Sequence, residues 1–392
     1  MRNFIPPHIL FVPAILLSSC VPDDEPDDEP GEVPARGPDF EVRYHTKYLD
    51  IAPGFSQPVC RGSLDEMDRY MEAVADLLGI EIQQPTTVFW YNGLATGSLA
   101  ERAEICDWCN GSCAGCYKGV VHSDFRTLRH ELVHAVVTPA WGRSVRLFSE
   151  GIAHGLDWYL PGTSWVYPSM TNQVLLEIVG SGSYDSGHFS RWLIARFGPG
   201  KFSELFEPRL DQHATKEQVL DAVEDIYGLT FAELEAEYAA TAAITYPLPG
   251  LCEGLMELPL NGDRWELNLT ADCDAPHTFG PSGDGTNFVA FTIDVPVEFD
   301  GVPIAAWIPS DMSAAVAPCL DEPLYGVDFD TVRSTTMNNN GPTTFRRTGK
   351  HRVELPVVDA GDVYMRLCPA NDKFPGSYPT DKSVDPENCV GD

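Results

Sequence analysis

The run Arg129-His130-Glu131-Leu132-Val133-His134 sets two imidazoles four residues apart, with a carboxylate between them. On a helix, residues four apart leave the same face, so His130 and His134 can share one metal ion. Glu131 stands one step round the helix, within reach of a metal-bound water without ligating the ion. Fifteen residues after His134 begins Ser149-Glu150-Gly151-Ile152-Ala153, and Glu150 offers a third ligand from a following helix. Two histidines and one carboxylate form a catalytic zinc set that leaves the fourth tetrahedral position open. Zinc brings the pKa of its water to about 7, and Glu131 can take that proton and pass it to a leaving amine. The expected cofactor is one Zn2+ per chain, and the expected chemistry is hydrolysis of a peptide bond.

The surrounding residues must hold these groups in place. Leu128, Leu132, Val133, Val136 and Val137 make the first segment strongly apolar, which predicts a largely buried helix. Buried histidines and a buried glutamate need partners, which a surface helix with two chance histidines would not supply. Ser123 or Asp124 is expected to cap its start and Pro139 to stop it, giving about four turns.

These two motifs resemble the gluzincin metallopeptidases, the clan that includes thermolysin and the aminopeptidase N relatives. The resemblance covers roughly residues 40–248 and implies a zincin-type fold. It implies that His130, His134 and Glu150 bind zinc and that Glu131 is the general base. A downstream stretch, Ser183-Tyr184-Asp185-Ser186-Gly187-His188-Phe189 and then Arg196-Phe197-Gly198, resembles a helix of these domains whose opening tyrosine stabilises the oxyanion. Tyr184 is the matching position, with Tyr159, Tyr167 and His188 as competitors for that task. One departure matters. No G-x-M-E-N-type strand precedes His130, so the amine-anchoring glutamate of the aminopeptidases has no counterpart. The corresponding strand is expected over Tyr117–His122, offering backbone groups to an extended peptide. The resemblance therefore implies a peptidase, of endopeptidase rather than aminopeptidase type.

The N-terminus sets the compartment. Arg2, the apolar stretch from Ile9 to Leu17, and Leu17-Ser18-Ser19-Cys20 resemble a bacterial lipoprotein signal peptide over residues 1–20. The apolar stretch is too short to span a membrane as a helix. Cys20 would be acylated and become the mature N-terminus, anchoring the chain by lipid alone at the cell envelope, on the outer membrane or cell surface. Residues 21–39 repeat D-D-E-P, cannot form a core, and are expected to act as a disordered acidic tether.

The net charge of −32, from 58 acidic and 26 basic residues, argues against nucleic acid and anionic headgroups as partners. A peptide or protein substrate is compatible with it. Beyond Cys20 there are ten cysteines: Cys60, Cys106, Cys109, Cys113, Cys116, Cys252, Cys273, Cys319, Cys368 and Cys389. An even number in an exported chain points to disulfides. The cluster from Cys106 to Cys116 has zinc binding as a rival reading, but its two C-x-x-C pairs stand too close for a zinc ribbon. Five of the ten lie before residue 250 and five after, so full pairing requires at least one bridge between the halves.

The chain is long enough for two domains after the tether. Residues 40–248 read as α+β. Phe40–Tyr48 and Thr86–Tyr91 are strand-like. Between them lies a helix capped by Ser63-Leu64-Asp65-Glu66 and ended by Gly79. Helices are expected over Phe189–Phe197, Thr215–Tyr227 and Thr230–Ala243, with Pro247-Leu248-Pro249-Gly250 as the boundary. Residues 249–392 carry short alternating runs, at Trp265–Leu269, Phe288–Ile293, Val302–Ile308, His351–Leu355 and Val363–Leu367. These predict an all-β, sandwich-like accessory domain. Two functions remain open: a zinc peptidase on the envelope, or a surface adhesin or scaffold with a structural zinc. Glu131 favours the first, since a structural site needs no base and usually closes its fourth position.

Overall fold

A computed structural model describes residues 40–91, 115–124, 128–157, 184–241, 244–282, 285–308, 313–325, 335–338, 343–344, 348–357 and 362–369. Cys20, the stretch 21–39, Cys106, Cys109, Cys113, Cys389, Tyr159 and Tyr167 lie outside these residues. The chain is mixed α and β, with several sheets.

The first sheet has five strands: β1 (Tyr44–His45), β2 (Leu49–Pro53), β3 (Thr86–Tyr91), β4 (Gly115–Tyr117) and β5 (Val121–Asp124). Their order is β1-β2-β3-β5-β4. β2, β3 and β5 run parallel, and β1 and β4 are antiparallel flanks. The alternation in Thr86-Thr87-Val88-Phe89-Trp90-Tyr91 explains β3. Val88 and Trp90 enter the core with Leu49, Ile51 and Val121, while Phe89 and Tyr91 take the other face. Two expectations change here. Phe40–Tyr48 is not one strand, because the chain reverses where the Thr46 N–H reaches the Leu49 carbonyl at 2.8 Å. Tyr117–His122 is a hairpin rather than a strand, since Gly119 at φ +75° turns β4 into β5.

The helices are α1 (Arg61–Leu78), α2 (Leu128–Trp141), α3 (Arg146–Leu156), α4 (Tyr184–Phe197), α5 (Pro199–Ser203), α6 (Lys216–Tyr227) and α7 (Phe231–Ala240). α1 connects the parallel strands β2 and β3, and Met67, Tyr70, Met71, Val74 and Leu78 repeat along its buried face. Gly79 ends it at φ +67°, as expected. Ser63 and Glu66 do not cap it: Cys60 is the N-cap and both residues lie inside the helix. They are buried because other parts of the chain claim their polar groups. Pro139 does not stop α2, which continues to Trp141. A proline here loses its own N–H bond and crowds the carbonyl four residues back, but only two residues follow Pro139 in the helix, which closes with Gly142 at φ +78°, its N–H on the Thr138 carbonyl at 2.9 Å. Ser123 and Asp124 belong to β5, and residues 125–127, which precede α2, lie outside the described residues. α6 and α7 each begin with a complete capping box, at Thr215 with Gln218 and at Thr230 with Glu233. α7 ends at Ala240, short of the expected Ala243.

Further on come β6 (Ile244–Thr245), β7 (Met256–Leu258), β8 (Leu260–Asn261), β9 (Arg264–Thr270), β10 (Thr278–Phe279), β11 (Asn287–Val295) and β12 (Pro303–Trp307). They are followed by β13 (Ser313–Pro318), β14 (Leu324–Tyr325), β15 (Thr335–Asn338), β16 (Thr343–Thr344), β17 (Gly349–Val357) and β18 (Asp362–Pro369). One sheet runs β10-β11-β17-β13-β15 with β7 beside β11, and the other runs β16-β12-β18-β9-β8. Phe291, Ile293, Val316, Val353 and Leu355 from the first share a core with Trp265, Leu267, Ile304, Met365 and Leu367 from the second. Two sheets facing across one apolar layer are a sandwich, and the alternating runs read from the sequence fall on β9, β11, β12, β17 and β18.

The two cores are joined covalently. Cys60 at the start of α1 is bonded to Cys273, and a second disulfide joins Cys252 to Cys319. Cys116 and Cys368 are disulfide-bonded as well. Cys60–Cys273 is a bridge of the kind that full pairing requires between the halves.

Candidate metal centre

α2 is buried, with Leu132, Val133, Val136 and Val137 almost inaccessible. Its histidines leave the face turned to α3. The turn between the two helices is held by Ser149, whose Oγ donates to the Ser144 carbonyl and accepts the Ser144 N–H, each at 3.0 Å. Glu150, the next residue, is thereby placed opposite His130 and His134. Behind it, α3 packs on α4 at near-backbone contact. A Cβ on Gly155 would lie 2.6 Å from the Gly187 carbonyl oxygen, and one on Gly151 would lie 2.5 Å from Ser190 Oγ. Only glycine at these positions lets the two helices come so close. The Glu-Gly of the motif thus provides both the ligand and the helix contact that sets it.

The three predicted ligands converge. His130 Nε2 is 3.1 Å from Glu150 Oε2 and 3.3 Å from His134 Nε2, and His134 Nε2 is 3.6 Å from Glu150 Oε1. A tetrahedral ion with bonds of about 2.0–2.1 Å needs donor atoms about 3.3 Å apart. The observed triangle brackets that spacing, and the donor set of two imidazoles and a carboxylate suits a divalent ion of the zinc kind. The group can hold a metal ion, and among the described residues no fourth His, Cys, Asp or Glu joins it.

Electrostatics follow from burial and mutual charge. Burial alone would lower His130, but Glu150, Glu131 and Asp157 outweigh it and raise the imidazole to about 9. A metal ion must displace that proton to bind. Burial pushes Glu150 up, yet the two histidines more than offset it and hold the carboxyl well below the ordinary range. Glu131 is 5% exposed, and burial raises it to about 7 against the opposing pull of His130 and His134.

The sequence reading passed over two groups beside the ligands. His154 lies one helical turn beyond Glu150, and its ring sits 4.5 Å from that of His130. Burial keeps it neutral, lowering it to about 3. Asp157 follows α3, and its charge acts on both His130 and Glu131. The i,i+4 relation of Glu150 and His154 is the sequence feature that could have flagged the first.

Of the oxyanion candidates, only the side chain of His188 lies among those described. Tyr184 is the first residue of α4. His188 is not available for catalysis, because it is 3% exposed with Nδ1 2.6 Å from Tyr238 Oη and Nε2 2.9 Å from the Ile244 carbonyl. It is a core histidine with both nitrogens engaged. Neither a protein-family model nor a curated protein matches the chain.

Proposed function

We propose that the chain is a zinc-dependent metallopeptidase of gluzincin type, hydrolysing peptide bonds in peptides or proteins at the bacterial cell envelope. The observation that carries this reading is the triangle of His130, His134 and Glu150, with Glu131 buried beside it. When bound, zinc supplies Lewis acidity, polarising the scissile carbonyl and acidifying water. Glu131 would take a proton from the attacking water and return it to the leaving amine. Tyr184, which opens α4, is the residue to which the gluzincin resemblance gives the developing oxyanion. Among the described residues the hairpin strand β4 is the last strand of the sheet, and an extended peptide laid along a sheet is a common mode of substrate binding. A parallel sheet with an antiparallel edge strand, beside two helices that carry the ligands, fits the zincin architecture.

Three ligands with a base alongside favour catalysis over a structural ion, which usually has a fourth protein ligand. Acylation of Cys20 would hold the enzyme at the membrane through its tether. Among the described residues no helix is long and apolar enough to cross a membrane. The test is cleavage of casein and of a peptide library by the purified chain. Activity should vanish on chelation and return with one equivalent of zinc. A metal-loaded chain that cleaves nothing would overturn the peptidase reading in favour of a surface scaffold.

A further inference from the structure

Glu66 sits at the junction of three elements. Its side chain, on α1, is 5% exposed and pairs with arginines from both sides. Arg129, on α2, contacts Glu66 Oε2. Arg352, on β17 of the sandwich, is 1% exposed, and its Nη1 lies 2.6 Å from Glu66 Oε1. Arg352 is fixed in turn from its own side. Its Nε donates to Glu354 Oε1 at 2.7 Å, and Nη1 donates to the Leu251 carbonyl at 2.7 Å. Its guanidinium carbon lies 5.5 Å from the centre of the Phe279 ring.

The same end of α1 is bound to the sandwich by other contacts. Cys60 is bonded to Cys273. Ser63 Oγ accepts the Gly280 N–H at 2.9 Å. A Cβ on Gly62 would stand 2.5 Å from the Thr278 carbonyl oxygen, so helix and strand meet at backbone distance. The sandwich is therefore seated on α1, and α1 holds α2 through Arg129. Arg129 directly precedes His130, and successive helical residues are about 100° apart around the axis. Fixing Arg129 toward α1 consequently fixes the direction in which His130 leaves the helix.

We infer that the sandwich is part of the metal centre's scaffold, with Glu66 and Arg352 acting as positioning residues that orient α2, and with it His130, through Arg129. A separable accessory module would not spend a buried charge on the very carboxylate that holds the ligand-bearing helix through Arg129. Burial alone would raise Glu66, but Arg352 and Arg129 outweigh it and keep the carboxyl ionised below the ordinary range, consistent with a permanent bridge. The inference rests on the metal reading proposed above, and its experiment separates the two.

Zinc affinity is measured by competition with a chromophoric chelator, at a temperature where circular dichroism shows every variant folded. The wild-type chain, Glu66→Gln, Arg352→Met, Arg352→Lys and the double variant Glu66→Gln/Arg352→Met are compared. Both Arg352→Met forms leave Glu354 without its arginine, so Glu66→Gln, which keeps both arginines, decides the matter if they do not fold. Met337→Ala, in the sandwich core, controls for general loss of stability. Glu66→Gln and the double variant should weaken zinc about tenfold, the lower end of the usual effect of residues supporting a metal ligand. Arg352→Lys should recover most of the loss, and Met337→Ala should lower the melting temperature with zinc affinity unchanged. Zinc affinities within twofold of wild type in Glu66→Gln and the double variant would overturn the inference while leaving the metal reading intact. A wild-type chain that binds no zinc would overturn both.

Discussion

His130 Nε2 and Glu150 Oε2 stand 3.1 Å apart although they come from different helices, α2 and α3. That approach concentrates charge and donor atoms in a buried place, and a bound ion relieves it. Metal loading should therefore stabilise the fold. At a free zinc concentration a thousand times the dissociation constant, the gain is about 4 kcal/mol. For a domain of this size that corresponds to roughly 10 °C in melting temperature. Scanning calorimetry with and without chelator measures it. Glu150→Gln should lose most of the difference.

Gly155 and Gly187 let α3 lie against α4 at backbone contact. Gly155→Ala places a methyl group 2.6 Å from the Gly187 carbonyl oxygen, and over-packing of this kind costs about 1–3 kcal/mol. The helix must move away from α4, taking Glu150 with it. Both the denaturation midpoint and zinc affinity should fall. An unchanged affinity would mean that α3 is set by something other than this contact.

Tyr184→Phe addresses the oxyanion. Loss of one donor should lower kcat by about a hundredfold with little change in KM. Tyr159→Phe and Tyr167→Phe serve as controls. A larger loss in either control than in Tyr184→Phe would transfer the role to that residue. His188 needs no such test, since Tyr238 and Ile244 occupy both its nitrogens.

His122 makes stability depend on pH away from the metal. It is buried on β5, its ring stacked 5.0 Å from that of Phe89, with Nδ1 3.0 Å from Tyr91 Oη. Burial, with a smaller contribution from Lys118, lowers it to about 4. In the unfolded chain it titrates near 6.5, so between these values the unfolded state binds the extra proton. Stability contributed by the neutral ring is complete above pH ~6.5 and is lost as pH falls toward 4, by up to about 3 kcal/mol. Urea denaturation across this window should show the slope, and His122→Phe should flatten it. An identical slope in the variant would assign the dependence to other groups.

The metal ligands were legible because their relations are local. The spacing of His130 and His134 is a property of one helix, and Glu150 announces itself through the glycine that follows. The sandwich strands were legible for a similar reason, since alternation in runs such as Trp265–Leu269 needs no knowledge of the partner strand. Ser63 and Glu66 were misread because their sequence satisfies a local capping rule while their true partners, Gly280 and Arg352, lie far along the chain. Tertiary contact overrode the local pattern. Pro139 shows the reverse: a helix breaker placed in the final turn removes too little to end the helix. His154 went unnoticed because its role depends on facing His130, which only the packing of α3 on α2 reveals.

Glu131 is proposed to work as a base beside a metal held by its neighbours. Glu131→Gln keeps the size of the side chain and removes its capacity to take a proton. Zinc content and peptide hydrolysis are measured on the same preparation of this variant and of the wild-type chain. About one zinc per chain is expected in both, with hydrolysis by the variant reduced about a thousandfold, within the range of a lost general base. Undiminished hydrolysis by a zinc-loaded glutamine variant would contradict that role of Glu131.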